Sequence, residues 1–418
     1  MAVTIPASSP APLRSSRPQQ PSRWPISIWR VTAMQNNPRP LDETRAEITA
    51  IDQQIQQLFL RRMACAEQVA AYKLKTGDAI LKPDREQYLL ETLGAQAPDG
   101  LRQEYVSMLK SVMRVSRKHQ YETILSCEPA RLELTLAPRC DQPARVVYQG
   151  LPASYQAQAA AAMFPDAKEV SHVPTFEDVF RAVSEGRADA GVVPVENSTV
   201  GTIHEACDLL VQYDLHISHS HVDHIYNCLC ACPGATLQSV RTAYSIKPAL
   251  GQCQNFLKEH GLEQQEAANT AVAAQMVAAS GDLTLAAVCS EQAAALYGLT
   301  VLAHNINDDK TNQTRFIAVS RGLSARSDDN RISLVFTLPH KNGSLAAALS
   351  VCADHEINLT EIHSRPLPET PWNYRFYIDL EGSLCDPAVR AMIYQLSEEL
   401  STVRILGSYR ISDSTETR

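Results

Sequence analysis

Residues 41–73 read LDETRAEITAIDQQIQQLFLRRMACAEQVAAYK, and their period decides how the N-terminal part of the chain folds. Ile48, Ile51, Ile55, Leu58, Phe59, Ala66 and Val69 recur at spacings of three and four, the mark of one helical face. At about 100° per residue, with Ile55 set to zero, they fall within about 60° of a common line. Arg62 lies at about −20° and Lys73 at about 0°, so two cations sit in the middle of an apolar stripe. One such residue alone reads as a snorkelling side chain with its head in water. Two on one line point to an anionic partner, because a buried unpaired cation is costly. Arg45 falls at about 80°, too far round to reach the same point as Arg62. It reaches a neighbouring subunit's site if the helix pairs with its twin.

Two more helices follow. Pro83-Asp84-Arg85-Glu86 opens one, with proline near the start and acids in the first turn. The third runs from about 101 to 124, and there Ser116 and Gln120 share a face. The spaced set Arg45, Arg62, Lys73, Arg85-Glu86, Ser116-x-x-x-Gln120 resembles the all-helical chorismate mutase family over residues 41–125. That resemblance implies a three-helix unit in an intertwined dimer. It implies that Arg62 and the partner chain's Arg45 clamp the two substrate carboxylates. It places Lys73 and Gln120 at the ether oxygen and Glu86 at the ring hydroxyl, with Arg85 and Ser116 nearby. Lys82, carried over as a substrate contact, stands where some members have Asp. The residue types suit a pericyclic reaction, which needs a held conformer and donors at the breaking ether bond but no nucleophile. Arginine is the better carboxylate fork.

Residues 126–144 carry Pro129, Pro138 and Pro143 without a clear period and read as a linker. From Ala144 short strands and helices alternate, an α/β pattern running to about residue 322. Three stretches fall at strand ends, where α/β ligand sites form. They are Pro194-Val-Glu-Asn-Ser198, Ser245 to Gln252, and Asn312-Gln-Thr-Arg-Phe316. Each alone reads as a cap or turn. Together, with Thr314-Arg315-Phe316, they resemble the prephenate dehydratase family over 145–322.

This second resemblance implies two α/β lobes around a cleft, like periplasmic binding proteins. It implies that Thr314 donates to the departing hydroxyl and that Arg315 holds a carboxylate. Glu196, Asn197, Ser198, Ser245, Gln252 and Phe316 complete the expected substrate contacts. The loop Tyr148-Gln-Gly-Leu-Pro-Ala-Ser-Tyr155 departs from the Gly-Pro-x-Gly of bacterial members and looks like plant arogenate dehydratases. Ser245-Ile-Lys-Pro also departs from the usual Ser-His-Pro-Gln.

After a short linker, residues 330–411 follow the order β-α-β-β-α-β, a ferredoxin-like α+β pattern. Gly343-Ser344-Leu345 and Ile362-His363-Ser364-Arg365-Pro366 resemble the ACT domain of these dehydratases, which binds phenylalanine and inhibits the enzyme. His363 replaces the usual Glu.

Composition narrows the rest. A net charge of −8 argues against a nucleic-acid footprint, so any anion site is local. No apolar run approaches a membrane span. Eleven scattered cysteines, an odd number, fit reduced thiols in the cytoplasm better than a disulfide framework. His216, His219, His221 and His224 precede Cys228, Cys230 and Cys232. The C-x-C-x-C spacing fits an alternating strand rather than the paired cysteines of a zinc site, so neither metal nor cofactor is expected. Residues 1–40 are rich in Pro, Ser and Arg, with no acid before Asp42. They read as a disordered extension, a leader, or sequence upstream of a start at Met34.

The whole chain reads as a multi-domain homo-oligomer, a dimer or larger. It takes chorismate and prephenate as substrates and phenylalanine as an allosteric ligand. Two alternatives stand beside it: an arogenate dehydratase with a degenerate mutase unit, and a non-catalytic amino-acid sensor.

Overall fold

The computed structural model describes residues 39–367 and 373–413. The expected extension or leader, and Met34 within it, lies outside them apart from Arg39 and Pro40. The first three helices are α1 (Leu41–Thr76), α2 (Pro83–Gly94) and α3 (Arg102–Cys127). The chain divides into two units. One holds residues up to Met63 together with Lys82–Met113; the other holds Ala64–Leu81 and everything from Arg114 onward.

In the first unit, α2 and the start of α3 pack closely where Gly94 faces Val106: a Cβ on Gly94 would sit 2.9 Å from a Val106 methyl. The wheel places Ile48, Ile51, Ile55 and Leu58 on one apolar face, and all four are exposed within the single chain. The stripe is therefore not uniformly buried. Only its C-terminal end, at Ala66, Ala70 and Lys73, is covered, by the core of the second unit.

That second unit is built mainly on two sheets. Its first lobe contains β1 (Arg145–Gln149), α4 (Tyr155–Met163), β2 (Glu169–Val173), α5 (Phe176–Ser184), β3 (Ala190–Asn197), β4 (Gly201–Thr202), α6 (His204–Gln212) and β5 (His216–His224). The second contains β6 (Cys228–Ala231), β7 (Thr242–Ser245), α7 (Lys247–Gly251), α8 (Gln254–Glu259), β8 (Glu263–Glu266), α9 (Thr270–Ser280), β9 (Leu285–Cys289), α10 (Glu291–Tyr297) and β10 (Thr300–Ala303). Its five strands run in the order β10-β6-β9-β7-β8. The chain then returns through β11 (Gln313–Ser320), which lies between β5 and β3 in the first lobe.

The C-terminal segment follows as β12 (Arg331–Leu338), α11 (Ser344–Asp354), β13 (Leu359–Pro366), β14 (Tyr374–Glu381), α12 (Pro387–Glu399), β15 (Thr402–Tyr409) and β16 (Ile411–Asp413). Four of its strands run in the order β13-β14-β12-β15, and all three junctions are antiparallel. The sheet continues from β15 onto β5 through Gly407 opposite Ile217. Only glycine fits there, since a Cβ would lie 2.5 Å from the Ile217 carbonyl oxygen. β16 then pairs in parallel with Ser220–Val222 of β5.

The second half of α3 docks on the C-terminal segment. Arg114 forks Asp354, and Arg117 forks Glu399 at 2.7 and 3.2 Å. Tyr121 is fully buried edge-on against Tyr394, and Ile124 and Leu125 join the same core. The stretch 126–144 is also tied down. Arg139 makes a two-pronged bond to Asp329 at 2.7 and 2.8 Å, with side chains only 4% and 0% exposed. Arg139→Ala strands a buried carboxylate, so it should cost about 3–5 kcal/mol, read from denaturant unfolding of the full chain.

Among the described residues no helix is long and apolar enough to cross a membrane. The histidines of β5 are taken up singly: His216 meets the Ile405 carbonyl, His219 meets Asp141 and His221 meets Ser412. Cys228, Cys230 and Cys232 point into a core with Cys289.

Candidate active sites

The mutase candidates fall into two sets. In the second unit, Lys73 comes from α1 and Ser116 and Gln120 from α3, and all three are buried. Lys73 Nζ donates to the Ile80 carbonyl at 2.7 Å and to Gln120 Oε1 at 3.3 Å. Gln120 Nε2 donates to the Ser116 carbonyl one turn back, at 3.1 Å. The i, i+4 spacing read from sequence thus becomes a hydrogen bond that fixes the amide. The result is a cationic donor at 9% exposure, held beside an oriented amide.

In the first unit, Arg62 is half-buried and donates to the Val112 carbonyl at 3.3 Å. Arg45 is exposed and near Asp42. Arg85 and Glu86 lie in the first turn of α2. Lys82 is the N-cap of that helix: its carbonyl accepts from Glu86 N at 3.1 Å, and its side chain makes no cap bond. A lysine offers no acceptor to the orphan amides and puts positive charge at the positive end of the helix. Lys82→Asp should therefore stabilise the protein by about 1 kcal/mol, measured by denaturant titration.

The dehydratase candidates meet where β3 and β11 end. Pro194 cannot donate to the ladder, and the pairing slips there: Arg315 faces Glu196 but Phe316 faces Pro194. Just past the slip, Thr314 pairs with Asn197. Asn197 Nδ2 lies 2.9 Å from Thr314 Oγ1, 2.9 Å from Asn312 Oδ1 and 3.0 Å from the Gln313 carbonyl. Asn312 Nδ2 donates to Gln252 Oε1 at 3.0 Å, and Gln252 Nε2 donates to Thr199 Oγ1 at 2.7 Å. Thr199 in turn donates to Asn197 Oδ1. This chain of bonds joins the first lobe to the second. Beside it lies a cavity of about 310 Å³, lined by Thr199, Gln252, Asp308, Asp309 and Asn312 among others. Thr311 holds the Asp309 carboxyl below its usual range, chiefly through its hydroxyl, so that wall stays anionic.

Thr199 and Asn312 were not among the expected site residues. Asn312 carries a signal in retrospect: it lies two residues before Thr314, and residues at that spacing share a strand face. Thr199 follows directly on the Pro194–Ser198 stretch and carries none of its own.

Other expected contacts are placed differently. Phe316 packs in the first-lobe core, 1% exposed, two residues further along β11 than Thr314 and on the same strand face. Ser245 is fully buried and donates to the Val288 carbonyl at 2.6 Å, tying β7 to the neighbouring β9. Ser198 closes the turn onto Gln313, whose amide it accepts at 3.0 Å. Glu196 and Arg315 pair with each other at 3.1 Å.

The residues of the two C-terminal motifs are engaged separately. Gly343 precedes α11 in a left-handed conformation, φ +81°, with Ser344 and Leu345 opening the helix. On β13, His363 stacks on Tyr377, and Arg365 donates to Asp208 of α6 at 2.9 Å. Ser364 and Pro366 alternate with them on the exposed side.

Cys228, Glu291 and His304 bring potential ligand atoms within 4.8 Å of one another. His304 Nδ1 sits 2.7 Å from a Glu291 oxygen, and burial pushes the Cys228 thiol up to about 11. The protonated thiol and the His304 ring both meet the same Glu291 oxygen by hydrogen bonding.

Comparison with known proteins agrees with both halves. Residues 44–121 match the chorismate mutase type II family, and residues 146–323 match the prephenate dehydratase family. A bifunctional chorismate mutase/prephenate dehydratase of Aquifex aeolicus is 32% identical over 371 residues, 88% of this chain and 97% of that one. A chloroplastic arogenate dehydratase/prephenate dehydratase of Arabidopsis thaliana is 37% identical over 285 residues, 64% of this chain and 72% of that one. The crystal structure of the Arthrobacter aurescens prephenate dehydratase in complex with L-Phe shares 29% identity and a TM-score of 0.59. It covers 63% of this chain and 89% of that one. The chain is thus an enzyme with an isomerase and a lyase domain. It belongs to the bifunctional chorismate mutase/prephenate dehydratase family, whose two steps lead from chorismate through prephenate toward phenylalanine.

Proposed function

We propose that Thr314 assists loss of the hydroxyl from prephenate, with Asn197, Gln252 and Asn312 lining the cleft of a two-lobed, periplasmic-binding-protein-like dehydratase. The observation that carries this reading is the Asn197–Thr314 bond. Thr314 Oγ1 accepts from the amide, and among the described residues its own O–H meets no protein acceptor. That hydrogen is available to the leaving oxygen as a hydrogen bond. Departure of carbon dioxide and aromatisation supply the driving force, so placed donors suffice.

For the first reaction we infer that Lys73 and Gln120 present donors to the breaking ether oxygen. Arg62 and the partner chain's Arg45 take the carboxylates, Glu86 takes the ring hydroxyl, and Arg85, Ser116 and Lys82 lie near. The exposed Ile48, Ile51, Ile55 and Leu58 support pairing of α1 with its twin in a homodimer or larger assembly. Domain limits of 41–125, 145–322 and 330–411 go with this reading, as does a cytoplasmic setting for its scattered thiols.

The test supplies purified protein with chorismate, then prephenate, then arogenate, and follows substrate loss and phenylpyruvate or phenylalanine. Conversion of neither chorismate nor prephenate sinks the reading. Faster turnover of arogenate, the preference hinted at by the Gln149-Gly150-Leu151-Pro152 loop, reassigns the second substrate.

We further infer that the C-terminal β-α-β-β-α-β segment is a ferredoxin-like ACT domain through which phenylalanine inhibits. Its strand order and the Gly343 turn before α11 support this. Calorimetry showing no phenylalanine binding, with activity unchanged by the amino acid, refutes it.

A further inference from the structure

Arg315 sits beside Thr314 on β11, yet its guanidinium turns away from the cleft. The side chain is only 10% exposed and faces three carboxylates. Nε donates to Glu196 at 3.1 Å, Nη2 to Glu361 at 2.7 Å, and Nη1 to Asp379 at 2.8 Å and Tyr409 Oη at 3.1 Å. Four of the five N–H donors of an arginine are therefore committed to protein. A substrate carboxylate would need two of them for a fork, and it would meet three negative charges on arrival.

The partners are distributed in a telling way. Glu196 lies on β3 of the first lobe, whereas Glu361, Asp379 and Tyr409 lie on β13, β14 and β15 of the C-terminal segment. Each is braced in turn. Glu361 accepts from Thr202 at 2.9 Å, and Asp379 accepts from Ser333 at 2.6 Å. Burial pushes the Glu361 carboxyl up, but His363 and the Arg315 charge outweigh it and hold the group below its usual range. The neighbouring cavity admits little more than one water, at about 20 Å³. The cluster is closed rather than open to a ligand.

We propose that Arg315 is a positioning residue for the dehydratase reaction. It clasps the Thr314 end of β11 to the C-terminal sheet, and that sheet is part of what sets the turnover number. The proposal rests on Thr314 acting at the substrate. The pairing slip beside Arg315 gives the clasp its purpose. The β5 side of the ladder runs on unbroken there, but on the β3 side, where Thr314 meets Asn197, the ladder slips and side chains add to the placement of the strand end. A small displacement of a reacting group can cost about a hundredfold in rate.

The experiment uses the full chain and measures both reactions in each sample, with the mutase as the control for folding. Arg315→Lys keeps the charge but cannot span all four partners. It should lower dehydratase kcat about tenfold or more with KM within about twofold, while mutase kcat holds. Glu361→Gln and Asp379→Asn should lower the same kcat by smaller factors, although neither residue reaches the cleft. A large rise in KM for Arg315→Lys, with kcat unchanged and both carboxylate variants silent, overturns the proposal and returns Arg315 to substrate binding. Unchanged kinetics in all three also overturns it. If Arg315→Lys loses both activities through misfolding, the two carboxylate variants decide: a fall in kcat supports the clasp and no change refutes it. Thr314→Val separates the two readings. Unchanged kcat there defeats the role of Thr314. A fall there, with the other three silent, defeats the clasp alone.

Discussion

Thr314→Val should lower dehydratase kcat by about 10²–10³ and leave chorismate turnover unchanged in the same sample. The substitution preserves shape at a site only 8% exposed, so the strand and its pairing with Asn197 should survive. What is lost is a single O–H and the acceptor for Asn197 Nδ2. That amide already lies within reach of two other oxygens, the Asn312 side chain and the Gln313 carbonyl. Its two hydrogens remain satisfied, so the variant should not pay the usual penalty for a buried unpaired donor. A defect confined to kcat then reports on the leaving hydroxyl. A loss of both reactions, or a melting temperature lowered by many degrees, would show that Thr314 works in the fold instead. Equal kcat for the two proteins would remove it from the chemistry.

Much of this is legible in the sequence. The three-and-four spacing found α1, and the alternation at residues 332–338 and 374–380 found two strands of the C-terminal sheet. Thr314 and Asn197 were placed by motif, and the structure brings them together.

Arg315 shows where that reading stops. An arginine at a strand end beside an active residue has the same sequence appearance whether it faces substrate or a neighbouring domain. Only the register of β11 against β3, together with the arrival of Glu361 and Asp379 from beyond residue 330, settles its direction. Phe316 shares the strand face of Thr314 but lies two residues further along β11, inside the first-lobe core, and alternation alone does not show where a cleft ends and a core begins. Ser245 failed for a different reason. A serine that closes a bond to the next strand and a serine that lines a cleft are the same letter, and burial separates them.

The stretch 126–144 falls between the two family matches, but composition does not show how it is anchored. Prolines and mixed charges read as a linker, and within it Arg139 finds a buried Asp329 some 190 residues away. Local pattern carries no trace of that pairing.

Lys73→Met carries the corresponding expectation for the first reaction: mutase kcat should fall by about 10²–10³ while prephenate turnover stays intact. Lys73 is the residue that the helical wheel marked as misplaced, a cation in an apolar stripe. The structure makes the anomaly sharper, because its end of the stripe is the covered one. The ammonium is held by the Ile80 carbonyl and by Gln120 Oε1, both neutral acceptors. A buried ammonium held beside an oriented amide favours a ligand oxygen on which negative charge grows, and most strongly at the transition state. Methionine keeps the length and apolar stem of lysine, so packing against Ala70 should change little. It leaves the Ile80 carbonyl and Gln120 Oε1 without their donor, a cost to stability of about 1–3 kcal/mol for each buried group. Stability and rate then move in separable ways. If the lysine is only a structural plug, Lys73→Met lowers the unfolding free energy while folded enzyme turns over chorismate at the original rate. If it stabilises the breaking ether bond, the rate falls in fully folded protein. Gln120→Leu should then lower kcat as well, since it removes the amide that aims the ammonium.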